Sequence, residues 1–290
     1  MENKIKSKLY FFYKKYLSYY FRLSSYPYIT GDTLRNYCDH VWDETSTIDP
    51  TTVMHQDKVF VKGDMLFEYF NKIGSSISNN YILFTHNSDE IIDDKYRNLI
   101  DDNVVHWFAQ NLTADLGGRV SIIPIGLENR WYLKNGRLHA INNARNQIST
   151  KDLDILAAFN TQTNIERLLV KEISHKNQLI TQIDNLGKKY YLDYISRSKF
   201  NICPEGNGPD THRIWESLIL KSIPILKSSA FSENLKNQGI PIYILKNWQE
   251  LESISIDELN HIYEKYSKID LTKFSQFSYW ESIINQYLGE

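Results

Sequence analysis

The sequence predicts an α/β protein of two domains, each built around a parallel sheet. Three observations carry this. A chain of 290 residues exceeds a typical small domain and fits two of ordinary size. Short apolar runs alternate with stretches of helical spacing along the chain, the pattern of β-α units. Residues 198–226, SKFNICPEGNGPDTHRIWESLILKSIPIL, read as a strand, a turn, a helix and a second strand.

The elements follow in order. The N-terminal segment mixes Lys4, Lys6, Lys8, Lys14, Lys15 and Arg22 with Leu9, Phe11, Phe12, Leu17 and Phe21. Six basic residues against one acid, Glu2, give residues 1–27 a local charge of +5. Such a basic helix either lies on an anionic membrane surface or packs on its own domain with solvated lysines. Charges interrupt the apolar run throughout, which argues against a secretory signal. Strands are then expected at 28–30, 58–62, 81–85, 104–108 and 120–125, with helical patterns between them such as GDTLRNYCDHVWDE and GDMLFEYFNKI. Parallel sheets receive ligands at the carboxyl ends of their strands. The polar groups there are therefore candidates: Gly31-Asp32-Thr33, Gly63-Asp64, His86-Asn87-Ser88-Asp89, Gln110-Asn111 and Gly126-Leu127-Glu128-Asn129.

Residues 130–152 are rich in Asn, Arg and Gly with little apolar periodicity, and the connection between domains is expected there. The second half reads as a strand at 154–159, a helix bearing Arg167, a helix at 189–197, strands at 200–203, 223–226 and 241–245, and a helical tail over 256–288. The expected domains are 1–140 and 150–270, with 271–290 a terminal helix.

Composition narrows the classes. Hydrophobic residues at 42% suffice for real cores, and a net charge of −2 gives no overall bias towards nucleic acid. Two cysteines, Cys38 and Cys203, lie far apart in apolar surroundings and read as buried thiols. No stretch reaches the eighteen or so apolar residues of a membrane span. Twenty Tyr and thirteen Phe can serve both core and sugar-stacking surfaces.

The segment after Phe200 carries the chemistry. Pro204, Gly206, Gly208 and Pro209 end the strand in a loop, and Asp210 or Thr211 can cap the helix that follows. Ile214, Trp215, Leu218 and Ile219 form a core-facing stripe, whereas Arg213 and Glu216 project from another face of the first turns. A helix N-terminus offers free N–H donors, a glycine loop lets a ligand approach the backbone, and Arg adds a planar fork for phosphate oxygens. A carboxylate beside them repels phosphate but accepts hydrogen bonds from neighbouring hydroxyls, as on a ribose. Alternatively Arg213 and Glu216 form an ordinary ion pair on the helix surface.

CPEGNGPDTHRIWESLILKSIPI resembles the C-terminal motif of exostosin-like glycosyltransferases, a cysteine-proline-glycine turn before an Arg-x-x-Glu helix and an apolar strand. The strong match covers about thirty residues. The resemblance implies a GT-B fold of two Rossmann-like domains facing a central cleft, with Arg213 at the donor diphosphate and Glu216 at the donor ribose. It also implies a terminal helix crossing back to the first domain and an inverting reaction. Glu205, Gly206, Asn207, Gly208, Asp210, Thr211 and His212 would line the same donor site. Asn160, Thr163 and Asn164 can cap the helix bearing Arg167 towards the cleft. Arg167 is either a second phosphate ligand or a solvent-facing side chain.

Transfer of a sugar needs a stabilised leaving phosphate and a base for the acceptor hydroxyl. The base is expected across the cleft: His86 and Asp89 lead, with Asp32 and Asp64 behind them, although each of these also suits a helix cap. Asp152-Leu153-Asp154 precedes a strand instead of following one, so it reads as a strand lead-in and no metal is expected. No cofactor is expected beyond the nucleotide-diphosphate sugar as donor substrate. Expected partners are that donor and a glycan or lipid-linked glycan acceptor, with no nucleic acid. The expected setting is surface-polysaccharide assembly in the cytoplasm, peripheral on the inner face of the membrane.

Other classes fare less well. GNGPDT has only the first two glycines of a dinucleotide fingerprint, and no Gly-Lys-Ser/Thr is present for a P-loop. A GT-B nucleotide-sugar epimerase or hydrolase, or a non-catalytic carbohydrate-binding module, stands as the alternative.

Overall fold

The computed structural model describes residue 17 and residues 19–147, 150–184 and 187–288. Most of the basic N-terminal segment therefore lies outside the described residues. The first sheet comprises β1 (His40–Trp42), β2 (Lys58–Lys62), β3 (Tyr81–His86), β4 (Val104–Ala109) and β5 (Val120–Ile122). All pairings are parallel, in the order β1-β2-β3-β4-β5. β3 is buried at every position, as a central strand covered on both faces must be. Helices α1 (Gly31–Tyr37) and α2 (Leu66–Lys72) accompany this sheet.

The second sheet contains β6 (Leu153–Ala157), β7 (Ile180–Gln182), β8 (Ser198–Ile202), β9 (Ile223–Lys227) and β10 (Tyr243–Leu245), again all parallel. Its order is β10-β9-β8-β6-β7. The chain goes outward from β6 to β7 and then returns to the other side at β8. β6 and β8 therefore flank the topological switch point, where an open α/β sheet leaves a crevice at its carboxyl edge. Its helices are α4 (Glu166–Ser174), α5 (Lys188–Arg197), α6 (His212–Ile219) and α7 (Ala230–Asn237), preceded by α3 (Leu138–Asn146).

Several elements differ from expectation. Residues 28–30 form no strand. Tyr28 makes an isolated antiparallel bridge to Gln276, because the neighbouring main-chain groups pair with the C-terminal segment: Ile29 N–H donates to Ser275 and Phe277 N–H to Pro27. The helix expected to run through His40 stops at Tyr37, and His40–Trp42 forms the edge strand. In the expected connection, α3 is an ordered helix packed against α5, burying only Ile141 and Ala144. Two buried side chains in nine leave a weak periodic signal, which is why it reads as linker.

The tail touches both halves. Helix α8 (Ile256–Ser267) leads to α9 (Phe277–Ile284), whose Trp280 packs edge-on against Trp215 of α6, with ring centroids 6.2 Å apart. Phe277 meets Tyr37 of α1 at 5.0 Å, and Tyr287 stacks on His106 of β4 at 3.7 Å. One continuous apolar core runs through both sheets and this tail. Cys203 is buried and Cys38 half-buried, and neither is in a disulfide.

Candidate active site

The carboxyl ends of both sheets open onto one cavity of about 1350 Å³. From the second domain it is lined by the loop after β6, the Gly206–Gly208 turn after β8 and the start of α6. From the first domain come the ends of β2, β3, β4 and β5, with Trp131 and Tyr132 beyond them.

The loop after β8 is held from below and from the side. Arg167 is buried, and its guanidinium donates to the carbonyls of Glu205 at 2.6 Å, Asn160 at 2.8 Å and Pro204 at 3.1 Å. It is thus not solvent-facing. It ties the loop after β6 to the loop after β8, and burial beside Arg213 holds its pKa down to about 10. Asn164 contributes a second tie, donating to the Gly206 carbonyl at 3.1 Å while accepting from Glu166 N–H.

The same loop is bolted to the first domain. A side chain at Gly208 would bring its Cβ within 2.9 Å of Asn111 Nδ2 and push that amide from its place. Asn111 Oδ1 accepts the Asp210 N–H at 3.2 Å. Asp210 accepts from Ile125 N–H at 2.6 Å and from the Trp215 indole at 2.8 Å, and burial pushes its carboxyl up to about 7. Asn207 donates to Asp89 at 3.2 Å, and His212 Nδ1 donates to the Gly126 carbonyl at 2.8 Å.

Arg213 and Glu216 open onto the cavity without pairing to each other. Arg213 donates to the Ala158 carbonyl at 3.2 Å and lies over the rings of Phe159 and Tyr191, whereas its buried Nε has no partner. Thr211, the N-cap of α6, makes no side-chain cap, so the helix N-terminus keeps free donors towards the cavity. Glu216 is buried and ion-paired through Oε1 to Lys188 of α5, which leaves Oε2 available. Glu205 lies off the cavity. Burial raises its carboxyl pKa, partly offset by Lys227.

On the first domain the expected bases separate. His86 has no nitrogen free to take a proton: Nε2 donates to the Pro124 carbonyl at 2.9 Å and Nδ1 accepts from Asn87 N–H at 2.7 Å. Burial pushes it down to about 4. Asp64 is exposed, ion-paired with Lys62 at 3.1 Å and off the cavity. Asp32 is buried behind Asn87 and Asn129 and 3.7 Å from Arg22. Burial raises its carboxyl to about 6, with Oδ2 unpartnered. Asp89 lines the cavity at an exposed rim position. Glu128 lines it from the loop after β5, with Oε1 accepting from Asn129 N–H and Oε2 3.5 Å from His212 Nε2. In the sequence Glu128 is one of several polar groups that follow the strand expected at 120–125. The carboxylate at that strand end was the signal that could have found it.

An aromatic and charged wall completes the first-domain side. Trp131 and Tyr132 lie with ring centroids 3.6 Å apart, Tyr19 packs on Trp131, and Arg22 ion-pairs with Glu44. Among the described residues no three His, Cys, Asp or Glu side chains gather as a metal site. Asp152 and Asp154 are instead ion-paired with Arg197 and Lys199. No helix among the described residues is long and apolar enough to cross a membrane.

Two parallel-sheet α/β domains whose strand carboxyl ends meet across one cleft constitute the GT-B arrangement. Residues 142–278 match the family model of the RXYLT1 C-terminal domain. The chain is 30% identical over 96 residues to ribitol-5-phosphate xylosyltransferase 1 of Mus musculus and 27% to that of Homo sapiens. Each alignment covers 28% of this chain, and the chain spans only 22% of the length of either relative. Among solved structures, OtsA in its apo form aligns with 82% of this chain and 72% of its own, at 10% identity and a TM-score of 0.45. A structure described as trehalose-6-phosphate from E. coli bound with UDP-2-fluoro glucose aligns with 83% and 75%, at 11% identity and a TM-score of 0.43.

Proposed function

We propose that this chain is a glycosyltransferase that moves a sugar from a nucleoside-diphosphate donor to a hydroxyl of a glycan-type acceptor. The observation that carries the reading is the crevice between β6 and β8, where Arg213, the uncapped start of α6 and Glu216 face one cavity. Arg213 and the free N–H groups of α6 neutralise the departing diphosphate, so the charge of a divalent cation is not required. Glu216 Oε2 accepts from the ribose hydroxyls, while Lys188 holds the carboxylate in place. Arg167 and Asn164 act on the donor indirectly, by fixing the loops that face it.

The match of residues 142–278 to the RXYLT1 C-terminal domain and the likeness to a ribitol-5-phosphate xylosyltransferase support a sugar-transfer reading. A xylosyl donor and ribitol 5-phosphate are accordingly the first substrates to try. The Arg-x-x-Glu helix resembles that of exostosin-like enzymes, a likeness that speaks for an inverting course. The acceptor enters against Trp131 and Tyr132, rings suited to stack on a sugar or polyol. The charge of residues 1–27 favours a lipid-linked acceptor at a membrane surface in polysaccharide assembly.

The test is a thermal-shift panel of nucleoside diphosphates and nucleotide sugars, UDP-xylose included, since a ligand bound only by the folded state raises its melting temperature. At least one should stabilise the protein. Arg213→Ala should abolish most of that shift and Glu216→Ala should weaken it. Stabilisation by none at millimolar concentration, or unchanged shifts in both variants, sinks the assignment.

A further inference from the structure

Of the acidic groups among the described residues of the first domain, Glu128 alone both lines the cavity and faces the helix that holds the donor cradle. Its carboxylate is hydrogen-bonded at one oxygen and faces the second domain with the other. Oε1 accepts the N–H of its neighbour Asn129 at 3.1 Å, which fixes the side chain along the loop after β5. Oε2 points to His212 Nε2, 3.5 Å away on the first turn of α6. His212 is itself held through Nδ1, whose hydrogen goes to the Gly126 carbonyl, so Nε2 attracts the Glu128 carboxylate as the second N–H of the imidazolium. The pair therefore exists only while the two domains are together, and Arg213 is the next residue along the helix.

The competing carboxylates lack this combination. Asp32 is sealed behind Asn87 and Asn129, Asp64 lies off the cavity, and Asp89 sits at the exposed rim with its carboxylate bound by Asn207. His86 has both nitrogens engaged.

We infer that Glu128 is the catalytic base that deprotonates the acceptor hydroxyl, and that His212 is the positioning residue that aims it across the closed cleft. This rests on the transferase reading above. The step balances within the proposed substrates. The acceptor O–H proton passes to the Glu128 carboxylate, the freed oxygen pair bonds to the anomeric carbon, and the bond from that carbon to phosphate breaks with its electrons on the diphosphate. The nucleoside diphosphate leaves against Arg213 and the α6 N-terminus. Because His212 and Arg213 adjoin, the base and the leaving-group cradle are held in one register.

The experiment follows diphosphate release from UDP-xylose, and from whichever nucleotide sugar gives the largest thermal shift, with ribitol 5-phosphate or water as acceptor. Glu128→Gln, nearly isosteric, should keep the donor thermal shift and lower kcat by about 10²- to 10⁴-fold, the usual worth of a general base. Formate should restore part of the turnover of Glu128→Ala. His212→Asn should lower kcat about tenfold while leaving the donor KM within about twofold, since a positioning residue acts on the base and not on the donor. Full turnover in Glu128→Gln overturns the inference and leaves the transferase reading standing. A wild type that binds a donor but releases no diphosphate also overturns it. A wild type that binds no nucleotide defeats the underlying reading instead.

Discussion

Asp210 of the second domain accepts the main-chain N–H of Ile125 of the first at 2.6 Å, and its other oxygen accepts the indole N–H of Trp215. One carboxylate thus joins the donor loop, helix α6 and the end of β5. Burial pushes it up to about 7 from an ordinary 3.8.

Its titration gives the first prediction. A carboxyl with a raised folded pKa binds more protons folded than unfolded, so its stabilising contribution is full below about pH 4 and lost as pH rises to about 7. Asp32, raised to about 6, has the same sign. His86 and His106, held down to about 4 by burial, have the opposite sign: their contribution is present above 6.5 and lost as pH falls to about 4. Relative to wild type, Asp210→Asn should therefore show stability that rises with pH between about 4 and 7, by up to about 1.4 kcal/mol per pH unit. Urea denaturation at a series of pH values measures it. Parallel profiles for the two proteins would refute the assignment.

The Lys188–Glu216 pair is poorly exposed on both sides, at 18% and 6% of the side chain. Lys188→Met should cost about 3 kcal/mol, the lower end for breaking a buried pair, because Lys188 keeps some solvent contact. Lys188→Met/Glu216→Leu should recover much of that loss while weakening donor binding as Glu216→Ala does. A double variant no more stable than the single one would show that the pair is not what holds α5 to α6.

Arg167 makes three hydrogen bonds through a planar fork that Lys lacks. Arg167→Lys should lower stability by about 2–3 kcal/mol and shrink the donor thermal shift, though the charge is kept. A wild-type shift would remove Arg167 from any role in the donor site.

His86→Ala tests the expected base whose two nitrogens are already engaged. It should cost about 1–3 kcal/mol from the unpaired Pro124 and Asn87 groups, with transfer per folded molecule retained. Loss of turnover without loss of stability would return His86 to the chemistry.

By itself the sequence determined the strands with continuous apolar runs. β2 falls at 58–62, and β3, β4, β8 and β9 lie within a few residues of their expected ends, because a strand covered on both faces writes its burial into every position. It also marked Arg213 and Glu216, since a glycine turn before a helix is a local signal. Only the tertiary structure decided their partners. Glu216 meets Lys188, twenty-eight residues away, and His212 meets Glu128 from the other domain. It likewise turned Arg167 onto carbonyls and closed both nitrogens of His86. Short elements such as β1 and α3 take their stability from what they pack on rather than from their own residues. Local spacing fixes which face a side chain takes. What stands opposite that face depends on long-range packing and on the burial that sets each group's protonation.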